Sequence, residues 1–522
     1  MGSLGQVCRP DPLRHRLSRL GCGHLIVNPS PAELRDMARK DEITTCYGSA
    51  CYITKVRNRS AKQSYIVSGQ VPVGVRQPVI EAETAAGVVG RVHSYLSDKT
   101  VIRLDRSLCA NPEARINCRL YITAEYARIP YMWHDTLFPA PAVGSPDVVS
   151  VYVPEWPERM ILIYPADRVT YILGTDYFGE CKKSFLRMAM YIAKQRGWLG
   201  FHAGSKVVRV EDGDGSTREV GFIMFGLSGT GKTTLTMHDH GLAYPEGVAI
   251  RQDDVVLMRS DGYCYGTENG FFFKTEGLEP SQTVLWNAAT RADAILENVK
   301  VGEDGSVDFL DCSLTSNGRG VVARANVAHT DGTCDLRRAD KIVFITRRND
   351  IVPPVAKLDP ERAAAFFMLG ESIETSAGDP SRAGQSKREV GTNPFIVGPE
   401  HEEGNTLLEF LRASPQIESF LLNTGAVGEN TGFKGRKITV GDSTHIMLQI
   451  ARGGIAWKRD PDWGYLVPEA VEGMDAEAYD PRRYYSAAEY RDRTEKLRKE
   501  RIAWLAQFPG LRSEIVRSIE CR

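Results

Sequence analysis

The stretch that most limits how this chain can fold is Gly226-Leu227-Ser228-Gly229-Thr230-Gly231-Lys232-Thr233-Thr234, which fits G-x-x-x-x-G-K-[ST] without a mismatch. Such a loop works only between a strand and a helix. Residues 220–225 (VGFIMF) are an apolar run of strand length, and the residues from Thr234 on (TLTMHD) can begin a helix. Glycines let the backbone turn tightly, so that successive N–H groups point inward at phosphate oxygens. Lys232 adds a cation for the terminal phosphates, and the Thr233 hydroxyl can ligate a nucleotide's magnesium. The loop therefore predicts a nucleoside phosphate site. Asp253 and Asp254 follow 21 and 22 residues after Lys232, at the end of an apolar run. A carboxylate there should face the loop across neighbouring strands and hold a metal.

Composition narrows the partners. Lys plus Arg number 65 against 66 Asp plus Glu, for a net charge of −1, which leaves no whole-protein electrostatic case for nucleic acid or an anionic membrane. The 11 cysteines are scattered and form no C-x-x-C, so a disulfide framework is not expected and a reducing, cytoplasmic setting is. No apolar stretch approaches the ~18 residues that span a bilayer. The N-terminus is rich in arginine (Arg9, Arg14, Arg16, Arg19) and poor in acids, the pattern of a transit peptide, whereas Gln6 spoils the myristoylation pattern opened by Met1-Gly2.

Along the chain, residues 64–67, 101–104, 148–153, 160–164, 248–250 and 341–346 read as strands. Residues 182–196 read as a mostly buried helix stopped at Gly197. Residues 374–392 are polar and rich in glycine and serine, a long loop of the kind that serves as a lid. Ser486 and Glu489 read as a capping box opening a charged surface helix to about Leu505, packed by Tyr490, Leu497 and Trp504.

The order of motifs carries a resemblance. FGLSGTGKTTL (225–235), with GTDYFGECKK (174–183) before it, GFHAGS (200–205) between and QDD (252–254) after, resembles the ATP-dependent phosphoenolpyruvate carboxykinases. The series extends over most of the chain. GCGHLIVNPSPAEL (21–34), RNRSAKQSYIV (57–67) and CANPEARINCRLYITAEYA (109–127) match blocks of the N-terminal half. RADAILENVKVGEDGSVDF (291–309), IVPPVAKL (351–358) and NTGAVGENTGFKGRKITVGDS (423–443) match blocks of the C-terminal half. The block GCGHLIVNPSPAEL (21–34) also argues against a cleaved leader at the N-terminus.

The resemblance implies a mixed α/β, two-domain fold: a substrate domain over 1–205 and a phosphate-loop nucleotide domain over 206–522, with the lid at about 374–392 and the active site in the cleft between. It implies reversible decarboxylation and phosphorylation of oxaloacetate by ATP to phosphoenolpyruvate, carbon dioxide and ADP, in a gluconeogenic or anaplerotic role. Only small-molecule partners are implied, for a monomer or small homo-oligomer. Manganese would be held by Lys183, His202 and Asp254, and nucleotide-bound magnesium by Thr233. A lysine ligand must be neutral, and Lys182, Arg59 and the metal would press its proton off. Arg59, Tyr177, Lys183 and Arg319 would bind the oxoacid, with Lys182, Lys183, Lys232, Asp253 and Arg319 in the chemistry. The nucleotide would lie on Gly226 to Thr234, Lys437, Ile438 and Ser443.

The chain also departs from the family pattern. Val255-Val256-Leu257-Met258 stands where Glu-His-Gly-Trp is usual. Lys437 replaces an arginine, Ser443 a threonine, and Gln282 an acid. Thr392-Asn393-Pro394-Phe395-Ile396-Val397-Gly398 replaces Phe-Ser-Ala-Cys-Phe-Gly after the lid. These changes are expected to fall on the nucleotide and lid side. They leave open a phosphotransferase of the same fold with another oxoacid, hydroxyl acceptor or phosphoryl donor, and a non-catalytic nucleotide-binding regulator.

Overall fold

A computed structural model describes residues 13, 17, 20–141, 144–373 and 385–520. The arginine-rich start, and most of the stretch read as a lid, lie outside them. The architecture is mixed α/β. Among the described residues one sheet has nine strands, in the order His24–Val27, Thr100–Leu108, Ile116–Thr123, Val148–Val153, Val169–Leu173, Met160–Tyr164, Ser64–Val67 and Val79–Ile80, with Phe138–Pro139 beside Thr100–Leu108. A second, ten-stranded sheet places Leu199–Glu211 between Val255–Met258 and Thr217–Gly226. It continues through Lys341–Thr346 and Glu418–Asn423, both parallel to Thr217–Gly226 in series. The strands read at 148–153, 160–164 and 341–346 stand at those bounds. They are continuous β-branched runs buried on both faces, the strongest strand signal a sequence carries.

A third, five-stranded sheet joins distant parts of the chain. Glu42–Thr44 and Ala50–Tyr52 continue a sheet whose other strands are Ile295–Glu297, Arg319–Val322 and Phe271–Lys274. The division expected after residue 205 falls inside the 13-residue strand Leu199–Glu211. That strand lies wholly in the ten-stranded sheet; the chain leaves the nine-stranded sheet earlier, after Val169–Leu173, and crosses through the helix Phe178–Gln195.

The helix Phe178–Gln195 starts four residues before the expected one, with Tyr177 as its extended N-cap, and is followed by Gly197 in the left-handed region (φ 73°). It is buried along nearly its whole length, and Phe185 stacks on Trp133 with centroids 4.5 Å apart. Each such large apolar side chain contributes about 1.5–3 kcal/mol on burial. The late helix spans Ala487–Leu505, but only half of the expected capping box forms. Ser486 accepts from the Glu489 N–H, while the Glu489 carboxylate turns outward to Arg493. Nor is this helix only a surface element: Arg501 is fully buried against Glu371.

Candidate active site

The phosphate loop lies between the strand Thr217–Gly226 and the short helix Lys232–Met237. Gly231 takes the left-handed conformation (φ 92°), which a Cβ would oppose, and so aims the chain into the helix. The loop's shape is fixed from outside. Thr424 Oγ1 donates to the Thr230 carbonyl at 2.7 Å, and Arg347 donates to the Gly229 carbonyl at 3.1 Å. Lys232 Nζ donates to the Asp253 carbonyl at 2.7 Å, so the loop and the acidic turn meet as the spacing predicted.

Asp254 is the hub. It is buried, and it pairs with both Lys182 and Lys183, while His202 Nε2 stands 3.1 Å from its Oδ1. Burial works against its charge, but the two ammonium groups hold its carboxyl well below the usual range. Lys182 also donates to Glu268 at 2.9 Å; burial pulls its pKa down, yet the Asp254 and Glu268 carboxylates hold it above the ordinary value. Lys183 goes the other way. Burial, chiefly, with a smaller push from Lys182, brings it down to about 7. Arg59, expected to contribute, is not among the causes; desolvation supplies the effect instead. Glu268 is raised to about 7, mainly by burial.

The donor set fits a divalent cation. His202 is lowered to about 4, first by burial and then by Lys232, so its ring is neutral at neutral pH. Its Nδ1 lies 2.7 Å from the Thr392 carbonyl, which can only accept, so Nδ1 carries the proton. The bare Nε2 therefore faces a carboxylate oxygen at 3.1 Å, two electron-pair donors turned toward one another. With Lys183 close to neutrality, three donors converge on one point. Among the described residues no group of three or more His, Cys, Asp or Glu side chains is placed to hold a metal, so any such site here needs the lysine.

The residues expected to bind the oxoacid connect to the lysine pair through shared rings: Arg59 and Lys183 both lie over Phe395, and Arg319 and Lys182 over Phe272. Tyr177, the N-cap residue, receives Arg319 Nε on its phenol oxygen at 3.1 Å. Arg319, at the start of the strand Arg319–Val322, is held by Asn317 at 2.7 Å. Arg59 stacks over the Phe395 ring, 4.2 Å from its centroid, and its buried Nε has no hydrogen-bond partner. Two acids that the sequence reading passed over hold the Arg59 loop. Asp176 accepts from the Lys55 and Val56 N–H groups at 3.0 and 2.8 Å and from Arg128 at 2.8 Å. Glu180 accepts from the Ser60 N–H. Both lie in GTDYFGECKK, on either side of Tyr177 in the sequence, so the two acids bracketing that tyrosine were the available signal. Glu297, raised to about 8 by burial, accepts from the Phe178 N–H and fixes the helix start.

The divergent segment after the lid does not stay on the nucleotide side. A turn at Val390–Thr392, with Gly391 at φ 59°, folds it back onto the site. Thr392 thereby presents its carbonyl to His202, and the Phe395 ring lies 5.0 Å from Lys183 Nζ as well as against Arg59. Val255–Met258, replacing the more polar family sequence, is a fully buried strand paired with Leu199–His202. Farther away, Lys437 is exposed on a two-residue strand and Ile438 is buried. The Ser443 hydroxyl donates to the Thr439 carbonyl at 3.0 Å. Gln282 is the N-cap of the helix Thr283–Ala289, its amide on the Gly277 carbonyl.

Comparison with known proteins agrees with this arrangement. A family model described as phosphoenolpyruvate carboxykinase matches residues 23–477. A phosphoenolpyruvate carboxykinase (ATP) of Aeropyrum pernix is 37% identical over 403 residues, 76% of this chain and 79% of that protein. Proteins of the same name from Rhizobium rhizogenes and Rhodopseudomonas palustris are 29% and 31% identical, over 59% and 58% of their own lengths. No helix among the described residues is long and apolar enough to cross a membrane. With a match over residues 23–477, the chain belongs to the phosphoenolpyruvate carboxykinase (ATP) family.

Proposed function

We propose that this chain catalyses the reversible, metal-dependent conversion of oxaloacetate and ATP to phosphoenolpyruvate, carbon dioxide and ADP. The observation that carries the reading is the chain of contacts in which Arg59 and Lys183 share the Phe395 ring, Arg319 meets Tyr177, Lys183 pairs with Asp254, and Lys232 of the phosphate loop reaches Asp253. In this reading residues 1–205 bind the oxoacid, residues 206–522 bind the nucleotide, and catalysis takes place in the cleft between them. The stretch 374–392 closes over it.

Arg59, Arg319 and the Tyr177 phenol take the oxoacid carboxylates; the unpartnered Arg59 Nε is a donor already desolvated for that purpose. Loss of carbon dioxide leaves negative charge on the enolate oxygen, and the fixed cations around Asp254 stabilise it with little rearrangement. Lys232 leaves the Asp253 carbonyl for the γ-phosphate and Arg319 faces the phosphoryl group in flight, both neutralising charge as the enolate oxygen attacks in line. When bound, manganese on Lys183, His202 and Asp254 and magnesium on Thr233 would supply Lewis-acid polarisation and phosphate neutralisation. Closure keeps water from protonating the enolate to pyruvate.

A second reading, the same chemistry with another phosphoryl donor, is favoured by one observation. Lys437 lies exposed where relatives carry an arginine, and a lysine has no planar fork to stack on a base. One experiment addresses both: phosphoenolpyruvate formation from oxaloacetate with manganese and magnesium, against ATP, GTP, ITP and pyrophosphate. An Asp254→Asn variant and an enzyme-free blank run alongside, since oxaloacetate decarboxylates unaided. Product with ATP, lost in Asp254→Asn, is the expected result. Product with a different donor alone moves the nucleotide assignment. No product from folded, nucleotide-binding protein overturns the carboxykinase reading.

A further inference from the structure

The helix Phe178–Gln195 carries a cation that the proposed reaction does not use. Arg187 lies four residues, about one turn, beyond Lys183 on the same helical face. It is 5% exposed, and among the described residues its guanidinium makes no hydrogen bond or ion pair; its directed contact is the Phe395 ring, 5.6 Å from Cζ. Glu180 helps sustain its charge from beyond ion-pair range while serving the Ser60 N–H, and burial still pulls the guanidinium down to about 10. A buried guanidinium with its donors unanswered costs several kcal/mol. A fold keeps such a group most readily where something from solution completes it.

There is room for that. Arg187 lines a cavity of about 200 Å³ between the strand Ser64–Val67 and the segment after the lid. That volume holds about six or seven water-sized groups at ~30 Å³ each. Beside Arg187 and the Ser64 side chain, the lining combines apolar Ile66, Ile163 and Val397 with the Gln77 and Asn393 amides, both taken up by protein groups, and with Arg76, an exposed guanidinium stacked on Trp504. The acids that also line it are otherwise engaged. Glu400 accepts from the Val75 and Arg76 N–H groups, and Glu389, raised by burial, faces Arg76 and Arg59. The buried Arg187 fork beside Ile66, Ile163 and Val397 matches a carboxylate head with a short hydrocarbon body. A phosphate, polar on every side, would strand oxygens against Ile66 and Val397.

We propose that Arg187 and this cavity form a binding site for a short aliphatic carboxylate of about two to four carbons, adjoining the proposed oxoacid site across the Phe395 ring and distinct from the nucleotide site. The site does not rest on the carboxykinase reading. Calorimetric titration of the full chain, free of metal and nucleotide and in chloride buffer, uses acetate, propionate and butyrate, with inorganic phosphate and sulfate for comparison. Saturable binding of propionate or butyrate is expected, with none for phosphate. Arg187→Met should abolish it, Arg187→Lys should weaken it about tenfold by losing the fork, and Ile396→Trp should weaken it by filling the cavity. Arg319→Gln, which cripples the proposed oxoacid site, should leave it intact. The proposal is overturned by no saturable binding, by binding that survives Arg187→Met or prefers phosphate, or by binding lost in Arg319→Gln. A structural role is tested separately: in carboxylate-free buffer Arg187→Met should unfold at no lower temperature than the parent, because it removes an unanswered buried charge. A clearly lower temperature makes Arg187 a structural group and also overturns the site.

Discussion

Asp176 shows how much of this site is made by residues that touch no substrate. Its carboxylate collects two backbone N–H groups of the Arg59 loop and the Arg128 guanidinium, itself buried. An amide in its place keeps one acceptor and turns two donors toward groups that need acceptors, at a cost of about 1–3 kcal/mol. Asp176→Asn should therefore raise KM for the oxoacid about ten- to hundredfold while leaving KM for the nucleotide unchanged. Steady-state kinetics with each substrate varied in turn decide it; equal rises in both KM values, or none, would remove Asp176 from its positioning role. The chemistry-bearing residues were legible because each sits in a short motif of fixed spacing, such as Lys182-Lys183 or Asp253-Asp254. Their partners were not. Glu268 reaches Lys182 across 86 positions and Thr392 reaches His202 across 190, and no local pattern encodes either.

At the scale of elements, a heavily charged joint stands beside the stretch expected to act as a lid. Glu371–Ile373, just before that stretch, pairs antiparallel with Ser386–Arg388 within it. The Glu371 carboxylate, almost fully buried, takes Arg501 at 2.7 Å, Arg388 at 2.7 Å and Arg348 at 3.8 Å. Burial opposes its charge, but the three guanidinium groups win and hold its carboxyl far below the usual range. The sign follows. A carboxyl depressed by folding contributes stability that is fully present above its unfolded pKa of about 4.3 and is lost as pH falls through the folded value. Glu371→Gln leaves three buried cations facing a neutral amide and should cost about 3–5 kcal/mol at neutral pH. Its melting temperature should also fall less than the parent's as pH drops below about 4.3, since the titrating group is gone. Parallel acid limbs for variant and parent would show that the joint is not where acid acts. The late helix read as a surface element because a charged sequence points outward by default; Arg501 is inside only because Glu371, 130 positions away, meets it there.

At the scale of the whole molecule, strand pairing runs across the boundary that the proposed division of labour draws after residue 205. The sequence reading placed a boundary after residue 205 because motifs for the oxoacid precede it and the phosphate loop follows. Short buried strands were legible by their β-branched runs, but their partners were not, since strand pairing is set by tertiary context. That context crosses the boundary repeatedly. Ala50–Tyr52 is hydrogen-bonded to Ile295–Glu297, and Leu199–Glu211 is paired to Thr217–Gly226 over nine residue pairs. A fragment of residues 1–205 would end within the strand Leu199–Glu211, strip Ala50–Tyr52 of its parallel neighbour, and bare Phe201 and Ala203, which the ten-stranded sheet buries completely. Exposed edges and apolar surface of that kind drive aggregation rather than folding. The prediction is that the fragment 1–205 is insoluble or lacks a cooperative transition, and that the full chain unfolds in one calorimetric transition in the absence of ligands. Two separable transitions, with a soluble, cooperatively folded fragment, would mean that the halves fold apart. The shared sheet would then be a docking surface between finished domains rather than part of a single core.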